Sequence, residues 1–184
     1  MDIKALFDLS YGMYVVSTKY NDKNIGCFVN TISQITSENP IISISLNKNN
    51  YTTEVLKIGS KLGISILSEE TDSKVIGKFG FFSSRDTDKF SEFKYEEIEN
   101  IPILKENICG YLIAEVIDIV DVETHNIVLA RVIDAKKEND LIPMTYSYYY
   151  NVIKGKTPKA APTYKEMDSE VETAQASGSK YKCI

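Results

Sequence analysis

Apolar residues in this chain alternate with polar ones far more often than they recur at helical spacing. Ile41–Leu46 reads Ile-Ile-Ser-Ile-Ser-Leu after Pro40, and Leu62–Leu67 alternates again after Gly59. A period of two marks a half-buried strand. Met13–Thr18 and Ile25–Asn30 flank the polar stretch Asn21-Asp22-Lys23-Asn24 and read as a hairpin. Tyr111–Val122 is the longest strand candidate, with Leu112, Ala114 and Val116 on one face and Tyr111, Ile113, Ile117 and Ile119 on the other. Asn126–Ala135 pairs with it across a turn around Glu123-Thr124. Helical spacing is confined to Thr52–Ile58, closed by Gly59, and to Thr71–Phe79. Many strands, short connections and few helices predict a mainly β fold, an antiparallel barrel that is closed or nearly closed. The strand–helix alternation of a doubly wound sheet is absent, and no internal repeat is visible.

Composition narrows the class. The 184 residues are 43% hydrophobic and 26% charged, ordinary for one globular domain with a real core. A net charge of −5 argues against a nucleic-acid surface and against an anionic membrane as partner. No apolar run reaches the length of a membrane helix, and Met1–Phe7 lacks the pattern of a signal peptide, so a cytoplasmic protein is expected. Cys27, Cys109 and Cys183 are too few and too scattered for a disulfide framework; the first two sit in apolar strands and read as buried thiols. From Thr157 to Ser179 the chain turns rich in Pro, Ala, Thr, Ser and Glu, the composition of a flexible linker. A domain over residues 1–156 is therefore expected, with the linker over 157–179 and something further at 180–184.

Three clusters carry candidate chemistry. In Asn30-Thr31-Ile32-Ser33-Gln34, neutral hydrogen-bonding side chains interleave with an apolar one, and Asn47-Lys48-Asn49-Asn50-Tyr51-Thr52 follows the next strand. Uncharged donors and acceptors beside a cation suit a large heteroaromatic ligand carrying a phosphate, a description that fits flavin mononucleotide (FMN). Read alone, the first cluster fits equally a strand end turning through side chains that bond their own backbone. Between Phe79 and Phe90, Gly80, Ser83, Ser84, Arg85 and Lys89 share one loop. Its hydroxyls, amides and Lys89 suit phosphate oxygens, while Arg85-Asp86 and Asp88-Lys89 suit local ion pairs as well. His125, the only His, follows Glu123-Thr124; between strands such a residue serves structure as readily as catalysis. One His and dispersed Cys build no zinc site. No Gly-x-Ser-x-Gly elbow, Gly-x-Gly-x-x-Gly turn or P-loop occurs.

Taken in order, these motifs resemble the flavin reductase-like family. The matching residues are Gly26-x-x-x-Asn30-Thr31-x-x-Gln34-x-Thr36, Ser45-Leu46-Asn47-Lys48-x-Asn50-x-Thr52, Phe79-Gly80-x-x-Ser83-x-Arg85-Asp86-x-Asp88-Lys89-Phe90, and His125 ahead of an apolar strand. The resemblance covers roughly residues 1–156. It implies the FMN-binding split β-barrel, Greek-key in type, and a homodimer with the flavin near the subunit interface. It further implies contacts from Asn30, Thr31, Ser33 and Gln34 to ring and ribityl chain. Asn49, Thr52 and Lys89 would serve the phosphate, Asn47, Lys48, Ser83 and Phe90 would also belong to the cofactor site, and His125 and Tyr150 would sit near the ring or the nicotinamide. Family members often carry Gly-Asp before the His and a Gly in the next strand, where this chain has Glu123-Thr124 and Ala130-Arg131.

The tail Lys180-Tyr181-Lys182-Cys183-Ile184 resembles the opening of a rubredoxin, as in the high-molecular-weight rubredoxins that fuse such a flavin domain to one. One thiolate cannot hold an iron that takes four, so iron is implied only if the chain continues. The resemblance implies hydride transfer from NADH or NADPH to FMN and onward electron transfer to a rubredoxin-type iron centre or a downstream flavo-diiron partner. A freestanding NAD(P)H:flavin or ferric reductase, a non-enzymatic FMN carrier and a flavin-free barrel are the alternatives.

Overall fold

The computed structural model describes residues 3–159 and 161–164. After a 3-10 turn over Ile3–Asp8 come strands β1 (Tyr14–Tyr20), β2 (Lys23–Val29), β3 (Ile32–Gln34) and β4 (Ile41–Asn47), then helix α1 (Tyr51–Val55) and β5 (Lys61–Leu67). Helix α2 (Ser73–Phe81) leads to β6 (Tyr95–Ile98), β7 (Ile101–Leu104), β8 (Ile108–Val122) and β9 (His125–Lys137). A short helix α3 (Tyr146–Tyr148) runs into a π turn over Tyr149–Ile153.

Seven strands form one antiparallel sheet in the order β2-β1-β5-β8-β9-β4-β3. Laid flat, its two edges would lie about 29 Å apart at ~4.8 Å per strand gap. Yet β2 ends at Val29 and β3 starts at Ile32, a span of at most about 11 Å. The sheet must therefore curl until its edges nearly meet. The expected barrel follows from connectivity alone.

Cross-strand partners sort by face. Val16 and Cys27 are paired and both point into a cluster with Ile44, Leu46, Ile64, Ala114 and Val128, the barrel lumen. Their neighbours Val15 and Phe28, also paired, point outward to Ile76, Phe79, Phe90 and Ile103. That outer face is covered by α2, whose buried side is Val75, Ile76 and Phe79, and by the β6–β7 hairpin. Ser17 Oγ donates to Pro102 O (2.5 Å) and Ser65 Oγ accepts from Leu104 N (3.1 Å), which fix the hairpin on the barrel.

The β1–β2 turn contracts to Asn21-Asp22, both at positive φ (48° and 58°), because a two-residue turn of that hand matches strand twist. The helix expected over Thr52–Ile58 stops at Val55. Gly59 takes a left-handed φ of 85° and donates to Val116 O (2.8 Å), tying that segment to β8 instead. In β8, irregularities after Ile113 and after Val116 break the alternation. Consequently Ile119 packs on the lumen cluster with Leu112, not on the opposite face with Ile113 as strict alternation predicts.

Candidate functional site

Gly26, in β2, is where two stretches distant in sequence are locked together. Ser84 Oγ accepts from Gly26 N (3.1 Å) and donates to Gly26 O (2.9 Å). Lys89 Nζ donates to the same carbonyl (2.9 Å) and to Phe79 O (3.1 Å). The approach is close enough that a Cβ at Gly26 would meet the Phe79 ring at 3.0 Å, Val16 O at 3.1 Å and the Phe90 ring at 3.2 Å. Phe79 and Phe90 themselves pack edge to face at 4.9 Å. The 79–90 loop is thus clamped to the barrel through backbone, hydroxyl, ammonium and rings.

Above this clamp lies a cleft of about 740 Å³. Asn49, Asn50 and Thr52 from the start of α1 line one side, and Phe81, Phe82 and Ser83 another. Cys27 and Lys89 form the base. The remaining wall is the chain after the π turn: Lys154 to Thr157, Lys159 and Tyr164. These residues fold back on the barrel. Gly155 N donates to Tyr149 O (3.1 Å), Tyr149 Oη donates to Lys156 O (3.1 Å), and Thr157 Oγ1 bonds Tyr146 Oη. Pro158 rests on Gly80, where a Cβ would come within 2.7 Å of its Cγ, and Thr163 Oγ1 accepts from Asn30 Nδ2 (2.8 Å). Composition assigns residues 157–164 to the linker, but those described pack on the domain. The rest of that linker and the 180–184 tail with Cys183 lie outside the described residues.

Electrostatics inside the cleft are set by burial. Lys89 is only 2% exposed, and removal from water lowers its pKa to about 8, opposed by nearby Cys27 and aided by Lys78. Burial also pushes the Cys27 thiol up, against smaller downward pulls from Thr52 and Lys89. Thr52 Oγ1 is buried without a well-formed hydrogen bond; its one polar neighbour is the Cys27 thiol, a weak partner that the hydroxyl nonetheless pulls down in pKa. A buried hydroxyl in that state keeps hydrogen-bonding capacity to spare at the cleft.

The structure divides the sequence-based candidates. Asn49, Thr52, Ser83, Lys89 and Tyr150 converge on the cleft. Asn30 does not line the cleft: its Nδ2 donates to Thr163, which lines the second cavity described below, and its Oδ1 accepts from Thr31 Oγ1 (3.0 Å). Phe90 is core, at 1% exposure, and supports the clamp. Ser33 and Gln34 are exposed on the edge strand β3, and Gln34 Nε2 donates to Thr36 O. Asn47 Oδ1 accepts from Asn49 N, which shapes the turn into α1, while Lys48 pairs with Asp121 at 2.6 Å. His125 starts β9 opposite Asn47, its Nδ1 bonded to Thr124 Oγ1 (2.8 Å) and its Nε2 buried without a partner. It does not line the cleft.

Neither local ion pair suggested for the 79–90 loop forms. Arg85 reaches across to Glu54 (2.6 Å) and lies 4.6 Å over the Tyr51 ring, and Lys89 turns inward to carbonyls. Sequence reasoning missed Ser84 as the clamp and Lys154, Lys159 and Tyr164 as wall. Three lysines in Lys154-Gly155-Lys156-Thr157-Pro158-Lys159 were the available signal, straddling the boundary expected between domain and linker. A second cavity, about 590 Å³, shares Tyr150 with the cleft and is lined by Tyr11, Tyr146 and Asp8. Among the described residues no cluster of His, Cys, Asp and Glu is suited to a metal, and no helix is long and apolar enough to cross a membrane.

Comparison with known proteins agrees with this architecture. Residues 6–154 match the family model described as flavin reductase like domain. The chain is 42% identical over all 184 residues to a high molecular weight rubredoxin of Moorella thermoacetica, covering 80% of that protein. It is 34% identical over 167 residues, 90% of this chain and 99% of the other, to a ferric-chelate reductase (NAD(P)H) of Archaeoglobus fulgidus. Among solved structures, the Streptomyces globisporus C-1027 NADH:FAD oxidoreductase SgcE6 aligns with a TM-score of 0.70 at 18% identity, over 78% of this chain and 85% of that one. That last likeness concerns the fold alone. With the family model spanning the barrel and two relatives aligned over most of their length, the chain belongs to the flavin reductase-like family.

Proposed function

We propose that this chain is a flavin-dependent NAD(P)H oxidoreductase that holds FMN in the cleft between the clamped loop and the 154–164 segment. The observation that carries the reading is the cleft itself: about 740 Å³, with the Thr52 hydroxyl buried in its wall and met only by the Cys27 thiol. Ligand sites of about 300–1,000 Å³ with few placed polar groups are typical of cofactors. The donor set fits a flavin nucleotide. Asn49, Thr52 and Ser83 offer neutral hydrogen bonds, Phe81, Phe82 and Tyr150 offer apolar ring faces, and lysines offer charge.

FMN, when bound, supplies the acceptance of a hydride from a reduced nicotinamide and its delivery onward as electrons. The protein's part is positional. Lys89 and Ser84 hold the wall against Gly26, so that the polar side chains on it meet the ligand without reorganising. No carboxylate or imidazole lines the cleft among the described residues, in keeping with a reaction that needs no acid–base pair at the reacting carbon.

A rubredoxin-type iron centre is the acceptor we favour, given the relative that carries that name over the full length of this chain. A ferric chelate is the second reading, since the reductase of that name matches over almost its whole length. The proposed homodimer would give the exposed Ser33 and Gln34, and His125, a second chain's flavin to contact; a monomer in sedimentation equilibrium removes them from the site. The cytoplasm is the compartment this reading assumes.

Anaerobic mixing of the FMN-loaded protein with NADH or NADPH tests the function. The flavin's visible band should bleach, then recover faster with oxidised rubredoxin than with a ferric chelate. A band that persists with both nucleotides makes the chain a carrier rather than an enzyme.

A further inference from the structure

Four lysines line the cleft, and their surroundings differ. Lys89 is buried, with its ammonium held by two carbonyls inside the wall. Other cations near the rim are neutralised: Arg85 by Glu54, Lys78 by Glu92, Lys48 by Asp121. Lys154 and Lys159 line the cleft, are exposed, and have no carboxylate partner among the described residues. In a chain of net charge −5, unpaired lysines gathered at one opening make a local anion-attracting field.

Their placement is enforced. Lys154 adopts a left-handed conformation, φ 60° and ψ 35°, at the end of the π turn, where Asn or Gly is lower in energy. Lys159 follows directly on Thr157 and Pro158, both buried, the first bonded to Tyr146 and the second seated on Gly80. The two lysines are thus presented from fixed backbone at the cleft that the side chains of Ser83 and Thr52 also line.

We propose that Lys154 and Lys159, outside the barrel's motifs, are the residues that read the phosphomonoester of the flavin, whereas Lys89 only builds the wall. The inference rests on the flavin reading of the cleft. A dianionic phosphate gains charge-assisted hydrogen bonds from ammonium groups that have no competing partner. The same chemistry would serve the pyrophosphate of the dinucleotide, so the test includes both.

The experiment compares FMN with riboflavin, which differs by the phosphate alone, by flavin fluorescence titration of the full chain. Lys154→Asn with Lys159→Gln removes both charges, and Asn retains tolerance of the left-handed backbone. We expect FMN affinity to fall about tenfold or more, riboflavin affinity to stay unchanged, and the Lys154→Arg/Lys159→Arg protein to bind FMN as the wild type does. Unchanged FMN affinity in the neutralised protein overturns the proposal. So does unchanged FMN affinity together with a raised half-saturating concentration of NADH or NADPH, which assigns the lysines to the pyrophosphate. A wild-type protein that binds neither flavin overturns the flavin reading itself, a separate result.

Discussion

The two walls of the cleft are built on opposite principles. The wall at Gly26 and residues 79–90 carries the motif residues, and its buried polar groups, Ser84 and Lys89, are consumed by backbone while Phe90 is consumed by core packing. The wall at residues 154–164 carries no motif, is held by a few side-chain contacts, and keeps Lys154 and Lys159 without a carboxylate partner among the described residues. The difference teaches that a conspicuous charged residue in a motif can be scaffold, while unpaired charge comes from a stretch that carries no motif. Free ammonium groups bind anions; satisfied ones hold shape.

The comparison breaks first at Lys89. Lys89→Ala leaves Gly26 O and Phe79 O without their donor, at about 1–3 kcal/mol for a buried unsatisfied group, plus the cavity. A loss of about 3 kcal/mol in urea unfolding is expected, against no change for the Lys154→Asn/Lys159→Gln protein. Equal stability losses in the two proteins would erase the distinction. Gly26→Ala comes next, since its Cβ would press on the Phe79 and Phe90 rings and Val16 O; overpacking of this kind costs about 1–3 kcal/mol. A neutral Gly26→Ala would mean that the loop is not tightly docked.

A pH series sharpens the same point. Lys89 titrates near 8 in the folded protein and near 10.5 when unfolded. Below pH 8 it is charged in both states and its burial penalty is fully present. Between about 8 and 10.5 the unfolded chain keeps a proton that the folded chain has released, so this group makes stability rise with pH. The slope approaches about 1.4 kcal/mol per unit. Tyr14, Cys27 and Tyr149, whose pKa values are raised by burial, act in the opposite sense at alkaline pH. The measurement is therefore the difference between wild type and Lys89→Met, which should grow in favour of the wild type as pH rises; a flat difference contradicts a depressed Lys89. Smallest of all, Arg85→Gln removes an exposed ion pair to Glu54 and an exposed contact over the Tyr51 ring, and should shift the unfolding midpoint little.

The barrel was legible because its strands alternate and its hairpin turns are short. β4 shows this most plainly, with Ile42, Ile44 and Leu46 buried and the residues between them half-exposed. The β6–β7 hairpin escaped because Tyr95–Ile98 reads Tyr-Glu-Glu-Ile, an exposed strand with no alternation, and β7 contains Pro102. Bulges in β8 are tertiary in origin and leave no period to read. In the site, hydroxyl and amide side chains announced a polar ligand. Which of them bond backbone depends on docking: Ser84 and Asn47 do, Ser83 accepts from Arg85 N while still lining the cleft, and Thr52 bonds no backbone group. The 157–164 part of the second wall was invisible because Pro, Ala and Thr give it the composition of a linker, and only its contacts with Tyr146, Gly80 and Asn30 show otherwise.

Thr52→Val tests the central claim, that this cleft is the flavin site, with two readings of opposite sign. Valine keeps the shape of threonine and removes the buried hydroxyl that has no well-formed hydrogen bond. The apoprotein should gain stability, by about 1 kcal/mol, while FMN affinity falls about fivefold as a ligand hydrogen bond is lost. A substitution that stabilises the apoprotein and leaves FMN affinity untouched would place the flavin elsewhere.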